Sequence, residues 1–371
     1  MKLGTILGCA ALLATGISAS ATTVTLQDYE TPIGIGLSGQ LTQPECTLSF
    51  GTDKPYEGKH DAEVYYRMAP IKGIQTVTLD SYRKIYTPIH RISVAVRGNN
   101  DPTIVLLARF ADAKGETFQY FMSDVKFTGW RVLSVDMDTA KPGIWGGDGN
   151  QTMDYPLTFQ CFVIDTIRKD EVATASQGTL AFDATTVESD KSAAETLGPQ
   201  RKPVCIQDFE QTKDLTIFGQ LLQPESKLTY STEKPYEGKQ CLDVHYKFAP
   251  VKGIQTVLID ASYPSLKAMP HAMAVAVRGD KSNCPLWAQF SDANGETFQY
   301  RVGTVDFNGW RIINLDMDAN KPGHWGGDND GIMQAPIKFD RLVLDSFRPK
   351  DDTATPAEGD IAFDSIYVMT D

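Results

Sequence analysis

The stretch "RISVAVRG" at residues 91–98 changes character at every step: Ile92, Val94 and Val96 are apolar, while Ser93, Ala95 and Arg97 between them are small or charged. A period of two puts alternate side chains on opposite faces of an extended chain, so one face is dry and the other wet. "EVYYRM" at 63–68 repeats the pattern, with Val64, Tyr66 and Met68 set against Tyr65 and Arg67. Such runs are short and are separated by clusters of Gly, Pro, Asn and Asp, and no long capped amphipathic segment interrupts them. The spacing predicts antiparallel strands folded into a sandwich.

The chain carries this pattern twice. "LQDYE" at 26–30 returns as "IQDFE" at 206–210, and "KPYEGK" at 54–59 returns at 234–239. "APIKGIQTV" at 69–77 matches "APVKGIQTV" at 249–257, and "GETFQY" at 115–120 returns at 295–300. "KPGIWGGDGN" at 141–150 is answered by "KPGHWGGDND" at 321–330, and the offset is 180 from Asp28 to Asp208 and again from Trp145 to Trp325. Each copy is long enough to fold alone, and the period is far above that of a solenoid. Between the copies, "ESDKSAAETLGPQRK" is polar and punctuated by Gly198-Pro199, which reads as an exposed linker. The expected organisation is a signal peptide over 1–21, one sandwich over 22–187, a linker over 188–202 and a second sandwich over 203–371: an all-β chain of two tandem antiparallel β-sandwiches.

The opening residues place Lys2 before an apolar run that ends in Ala19-Ser20-Ala21, a secretory signal with cleavage expected after Ala21. The rival, a lipoprotein signal ending at Cys9, has too short an apolar run before it. The expected location is therefore secreted, extracellular or periplasmic, with cell-surface association possible. A net charge of -12 argues against nucleic acid and anionic membranes as partners, and no later apolar run is long enough to insert in a bilayer. Cys46, Cys161, Cys205, Cys241 and Cys284 show no C-x-x-C spacing and are odd in number; pairing stays open, with isolated thiols in strands an equal reading.

Each copy opens "QD-aromatic-E", has "GK" after an early loop, places "GW-R" two-thirds along, and the second closes with "GDIAFDSIYV" at 359–368. That order resembles the galactose-binding-like β-sandwiches of non-catalytic carbohydrate-binding modules, especially family eleven and its relatives. The resemblance implies a jelly-roll sandwich, a polysaccharide or oligosaccharide as partner, and a structural calcium between first and last strands. The matching acids are Asp28, Glu30 and Asp183 in copy one, and Asp208, Glu210 and Asp364 in copy two. Asp28 and Glu30 are two apart on a strand, so their carboxylates leave one face together, as a hard cation requires. The alternative is a set of solvated strand-edge acids.

Parity separates a core face from an outer face. Leu106, Ala108 and Phe110, like Leu286, Ala288 and Phe290, belong to the core. The outer set is Tyr65, Arg97, Arg109, Gln119 and Asp165 in copy one, and His245, Arg278, Trp287, Gln289, Gln299 and Asp345 in copy two. Small residues beside planar polar groups suit a sugar, whose hydroxyls pair with amides, guanidinium and carboxylate while its apolar face stacks on a ring. Trp287 is the expected platform of copy two, where copy one has Leu107, so the copies should differ in ligand or strength. A solvated sheet face with cross-strand ion pairs is the competing reading.

In the "WGGD" loop, Trp145 and Trp325 could cap the cleft with Asp148 and Asp328 accepting hydroxyls. The favoured account has the ring folded back as a lid while Gly-Gly supplies positive φ. Trp130 and Trp310 are expected in the core. His60, His90, His245, His271 and His324 read as scattered and unrepeated, and no G-x-S-x-G, H-E-x-x-H or phosphate loop is present. "DMD" at 136–138 and 316–318 holds the strongest catalytic suspects. The leading expectation is a secreted, non-catalytic carbohydrate-binding protein; the alternatives are a structural or adhesive surface protein and a polysaccharide-cleaving enzyme.

Overall fold

The computed structural model describes residues 21–199, 201–211, 215–260, 263, 265–349, 352–355 and 358–371. The expected signal peptide lies outside these residues, apart from Ala21.

Copy one runs β1 (Thr22–Gln27), β2 (Gly36–Ser38), β3 (Thr47–Gly51), β4 (Asp61–Met68), β5 (Thr76–Ile85), β6 (Arg91–Ala111), β7 (Glu116–Asp136), β8 (Gly143–Gly146), β9 (Leu157–Thr166), β10 (Arg168–Lys169), β11 (Val172–Ala173) and β12 (Ser176–Ser189). A short helix, α1 (Ala193–Leu197), follows. Copy two comprises β13 (Lys202–Gln207), β14 (Thr216–Phe218), β15 (Lys227–Ser231), β16 (Cys241–Lys247), β17 (Thr256–Asp260), β18 (Ser265–Leu266), β19 (Pro270–Asp280), β20 (Pro285–Ser291), β21 (Glu296–Thr304), β22 (Asn308–Asp316), β23 (Gly323–Gly326), β24 (Ile337–Asp345) and β25 (Glu358–Thr370).

Copy two shows two antiparallel layers. One is ordered β15-β16-β25-β19-β22, and the other β14-β17-β24-β20-β21-β23. Copy one has the same layers, but β6 and β7 pass through both. Their ladder slips between Asn99 and Asp101 and again between Asp101 and Val105. As a result the first part of β6 pairs with β12 and the last part with β9. Irregularities of this kind bend a strand and let it change layers. Each copy therefore folds as a sandwich, as the alternation indicated.

The dry faces meet in one core per copy. Val94, Val96, Leu106, Ala108 and Phe110 are fully buried, and Phe110, Phe159, Phe162 and Phe182 form a chain of ring contacts 4.9–5.6 Å apart. Each of the valine, leucine and phenylalanine side chains contributes about 1.5–3 kcal/mol by leaving water.

The copies also touch. Ile33 packs with Ala274, Ile312 and Met369, and Asn314 binds the Gly34 N–H at 2.8 Å and the Ile35 carbonyl at 2.5 Å. The segment read as an exposed linker is folded. Ser192 caps α1 in a reciprocal capping box with Glu195, Thr196 is buried, and the Thr196 carbonyl accepts from Tyr86 N–H at 2.7 Å. The signal was present as Ser-x-x-Glu at 192–195. The five cysteines are unpaired thiols.

Candidate functional site

The outer face of the layer β2-β5-β9-β6-β7-β8 in copy one is a groove of about 730 Å³. Cross-strand register builds its floor in rows. One row runs Asp80, Cys161, Arg109, Gln119, Gly143; the next runs Ser38, Thr78, Val163, Leu107, Phe121. Arg109 donates through Nε and Nη2 to Gln119 Oε1, at 3.0 and 2.8 Å, and its guanidinium lies 5.6 Å from the Trp145 ring centre. The Ser38 hydroxyl donates to Asp80 at 2.6 Å. Arg168 pairs with Asp165, which also accepts from Thr166 N–H at 2.7 Å. Burial raises the Asp80 and Asp165 carboxyls above their usual range, the nearby Arg109 acting in the opposite sense on both. Burial also pushes the Cys161 thiol up to about 12, so it is inert as a nucleophile. The groove thus joins planar hydrogen-bonding groups of both signs to the flat ring of Trp145.

That ring is a correction to the expected lid. Trp145 and Trp325 are each 47% exposed, on the edge strands β8 and β23, and Trp145 lines the groove. The turn behind them is as expected: Gly146 and Gly147 have φ of 81° and 56°. A Cβ on Gly147 would sit 2.4 Å from Glu116 N, so close approach as well as handedness demands glycine. Asp148 is held by Asn150, and Asp328 by Asn294 at 2.6 Å; both serve the loop tip, and Asp148 does not line the groove.

The remaining predicted residues divide between layers. Arg109, Gln119, Trp145 and Asp165 come together. Arg97 and Tyr65, with Arg278 and His245, lie in the other layer, because β6 switches sheets and β19 ends before β20 begins. Extending one parity through residue 99 was the error. Arg97 binds Glu63 and the Asp53 carbonyl and stacks 5.4 Å over Trp130; Arg278 does the same with Asp243, the Glu233 carbonyl and Trp310. Trp130 and Trp310 are accordingly half-buried outer-face rings, not core. Each indole donates to a carbonyl of the repeated "KPYEGK" loop, Lys54 at 3.0 Å and Lys234 at 2.7 Å. His245 is tied to Asp360 at 2.9 Å.

In copy two, Trp287, Gln289, Gln299, Trp325 and Asp345 do share the equivalent face. Gln289 donates to Gln299 at 2.6 Å, and Arg301 lies 5.9 Å over the Trp287 ring. Trp287 Nε1 is buried without a hydrogen bond, although Asp345 lies close enough to feel it. Sequence reasoning missed Phe121, 59% exposed on the groove face of copy one, and the hydroxyls of Ser38 and Thr78. The strand parity of "FQYFM" at 118–122 could have found Phe121.

It also missed a repeat. His90 and His271 are equivalent once a one-residue slip is allowed, and each joins the last aspartate of "DMD" to the end of the final strand. His90 meets Asp138 at 2.9 Å and Asp190 at 3.3 Å; His271 meets Asp318 and Asp371, both at 2.8 Å. The Asp138 hydrogen bond raises the His90 pKa. A raised histidine contributes stability that is fully present below the unfolded value of ~6.5 and lost as pH rises through the folded one. An NMR titration is expected to give His90 a midpoint above that value, moving back towards it in Asp138→Asn. An unchanged midpoint would sever the link.

Asp28 and Glu30 stand past the end of β1 rather than on a strand, with Tyr29 between them at a φ of 57°, and they gather with Asp183 of β12 around the "KPYEGK" loop. Asp28 caps Glu30 N–H at 3.2 Å, and Glu30 accepts from Lys59 N–H at 2.8 Å. Asp183 is buried and accepts from Glu57 N–H at 2.9 Å. Asp208, Glu210 and Asp364 repeat this with Glu210, Lys239 and Tyr236 N–H. Copy one adds an acid that the sequence reading missed: Asp61, fully buried, with neither oxygen hydrogen-bonded and Arg97 Nη2 3.6 Å away. Copy two has Cys241 there. Among the described residues a separate acidic group, Asp292, Glu296 and Asp328, has oxygens within 4.8 Å of one another, but these accept loop N–H groups and pin the "WGGD" turn.

Fold and groove define a chain of two tandem β-sandwiches with one open polar-aromatic groove in copy one. The family model described as "Flagellar filament outer layer protein Flaa" matches residues 84–196, from the end of β5 to α1. No curated protein matches the chain. Among solved structures it is similar to the family 11 carbohydrate-binding module of a Clostridium thermocellum cellulosomal cellulase, 13% identical over 47% of this chain and 97% of that one, TM-score 0.33. A second structure of a family 11 module from that organism, in complex with a β-1,3-1,4-mixed-linked tetrasaccharide, gives 14%, 45%, 94% and 0.32. The tandem family 22 modules of Paenibacillus barcinonensis Xyn10C align over 94% of this chain and 97% of theirs, at 11% identity and TM-score 0.28.

Proposed function

We propose that the chain is exported and binds a polysaccharide, without cleaving it, in the copy-one groove. The observation that carries this is the half-exposed Trp145 ring beside the Arg109–Gln119 pair, above a floor of serine and threonine hydroxyls. A pyranose offers that surface an apolar face for the ring and hydroxyls for the fork. The mature chain is expected to be retarded in gels containing at least one of mixed-linkage β-glucan, xylan, mannan or pectin, with no reducing ends released. Free migration through all of them would remove the proposal.

Calcium belongs to the proposal for copy one, where Glu30, Asp61 and Asp183 are neighbours that would have to draw together around it. Among the described residues, the acids already within 4.8 Å of one another are Asp292, Glu296 and Asp328. The unpartnered oxygens of Asp61 are what favours the site.

A second reading, a structural protein of a cell-surface filament, is favoured by the family match over 84–196. It expects co-sedimentation with filaments that a saturating soluble polysaccharide does not displace.

A further inference from the structure

The equivalent rows of the two grooves carry the same charges in different places. In copy one the row is Asp80, Cys161, Arg109, Gln119; in copy two it is Asp260, Arg341, Gln289, Gln299. Each has one carboxylate and one guanidinium, but the arginine has moved from the third strand of the row to the second. Acid and arginine in copy one are therefore two strand spacings apart, about 9–10 Å, with a small thiol between them. In copy two they are neighbours, an ion pair with Arg341 Nε 2.7 Å from Asp260 Oδ1, though the two atoms are not aligned as a hydrogen bond.

The adjacent row has changed in the same sense. Ser38 and Thr78 become Phe218 and Leu258. Phe218 is 42% exposed, so its ring stands above the floor, and the Arg341 guanidinium lies 5.3 Å over it. In copy one the corresponding serine lies down against Asp80.

We propose that Phe218, Arg341 and Asp260 close the groove of copy two from within, so that the chain binds one glycan segment and not two. This rests on reading the copy-one groove as the sugar site. There, Arg109 uses only Nε and Nη2 on Gln119 and keeps Nη1 for a ligand, while the hydroxyls holding Asp80 can rotate to serve one. In copy two a sugar would have to part a guanidinium from both a carboxylate and a ring, and a neutral hydroxyl returns only part of what those charged contacts supply. Trp325, exposed like Trp145, then borders a filled site.

Titration calorimetry of the mature full-length chain, with mixed-linkage β-glucan tetrasaccharide, xylohexaose and mannohexaose as probes, tests this. For a probe that binds, the expected stoichiometry is one per chain, with affinity weakened roughly ten- to hundredfold by Trp145→Ala and untouched by Trp325→Ala. Phe218→Ser combined with Arg341→Cys should raise it to two. Because that pair sits in a sheet and could unfold copy two, Ser38→Phe provides the converse: an exposed position in copy one where an added ring should abolish binding with the melting profile unchanged. Two sites in the wild type, loss on Trp325→Ala alone, binding retained in Ser38→Phe, or a folded double variant that still binds one would overturn the closure while leaving the sugar reading in place. No binding of any probe and no gel retardation would remove both.

Discussion

Trp145→Ala is expected to weaken binding of the retarding polysaccharide roughly ten- to hundredfold, equivalent to ~1.4–2.8 kcal/mol, with no change in melting temperature. Two contributions add. The ring supplies the stacking surface of the groove, and it also fixes the Arg109 guanidinium 5.6 Å from its centre, so its removal frees an arginine that must be ordered again on binding. Stability should hold because the side chain is half in water, on a four-residue edge strand, and the turn that shapes β8 is set by Gly146 and Gly147. Affinity electrophoresis gives the loss, and a thermal melt of the same sample is the control. Arg109→Gln, which imposes the copy-two residue, should lose less, because an amide still reaches Gln119. If Trp145→Ala binds as the wild type does, Trp145 is not the platform.

What could be read beforehand was whatever depends on period and repetition. "RISVAVRG" and "EVYYRM" gave strands whose apolar members are buried without exception, because the two-residue alternation survives any sandwich topology. Matching the copies gave the twofold repeat of the sandwich for the same reason, but not the folded segment between the copies. Arg109, Gln119 and Asp165 were legible because they lie on strands whose parity can be read locally. Trp145 was marked, but with a folded-back lid as its favoured role, because only the packed layers show its ring standing half in water on an edge strand. Arg97 was misplaced since a slip in the β6–β7 ladder moves it to another layer, and nothing local in "RGNNDPT" states where β6 changes partners. Trp287 looked the stronger platform only while its neighbours were unknown. Arg301 across one strand pair and Phe218 across the sheet are non-local facts. Asp61 is similar: an aspartate at the head of a strand reads as solvated, and only the packed layers show that it is buried.

Asp61→Asn should change the sign of its effect with calcium. Burial is the main cause that pushes the Asp61 carboxyl up to about 6; Arg97 pulls it down, while Glu63 and Asp183 push it further up. An acid with a raised folded-state pKa binds its proton more tightly when folded. Its stabilisation is fully present below the unfolded value of ~3.9 and is lost as pH rises through about 6. At pH 8 in chelator the native protein carries that buried charge, and Asn, of the same shape and with no hydrogen bond to lose, relieves it. The variant should therefore be more stable than the wild type by about 1–3 kcal/mol at pH 8 and no more stable at pH 4. Calcium reverses the comparison, because Glu30, Asp61 and Asp183 then have a counter-charge and the variant has lost one of three carboxylates. Melts of copy one at pH 4 and 8, each with chelator and with calcium, separate the cases. A wild type that ignores calcium while Asp61→Asn still gains at pH 8 leaves a buried acid balanced by Arg97 alone, and the cation would have to be given up. A variant destabilised at pH 8 in chelator would mean that the Asp61–Arg97 attraction outweighs desolvation, the opposite of what the absence of any hydrogen bond to the carboxylate implies.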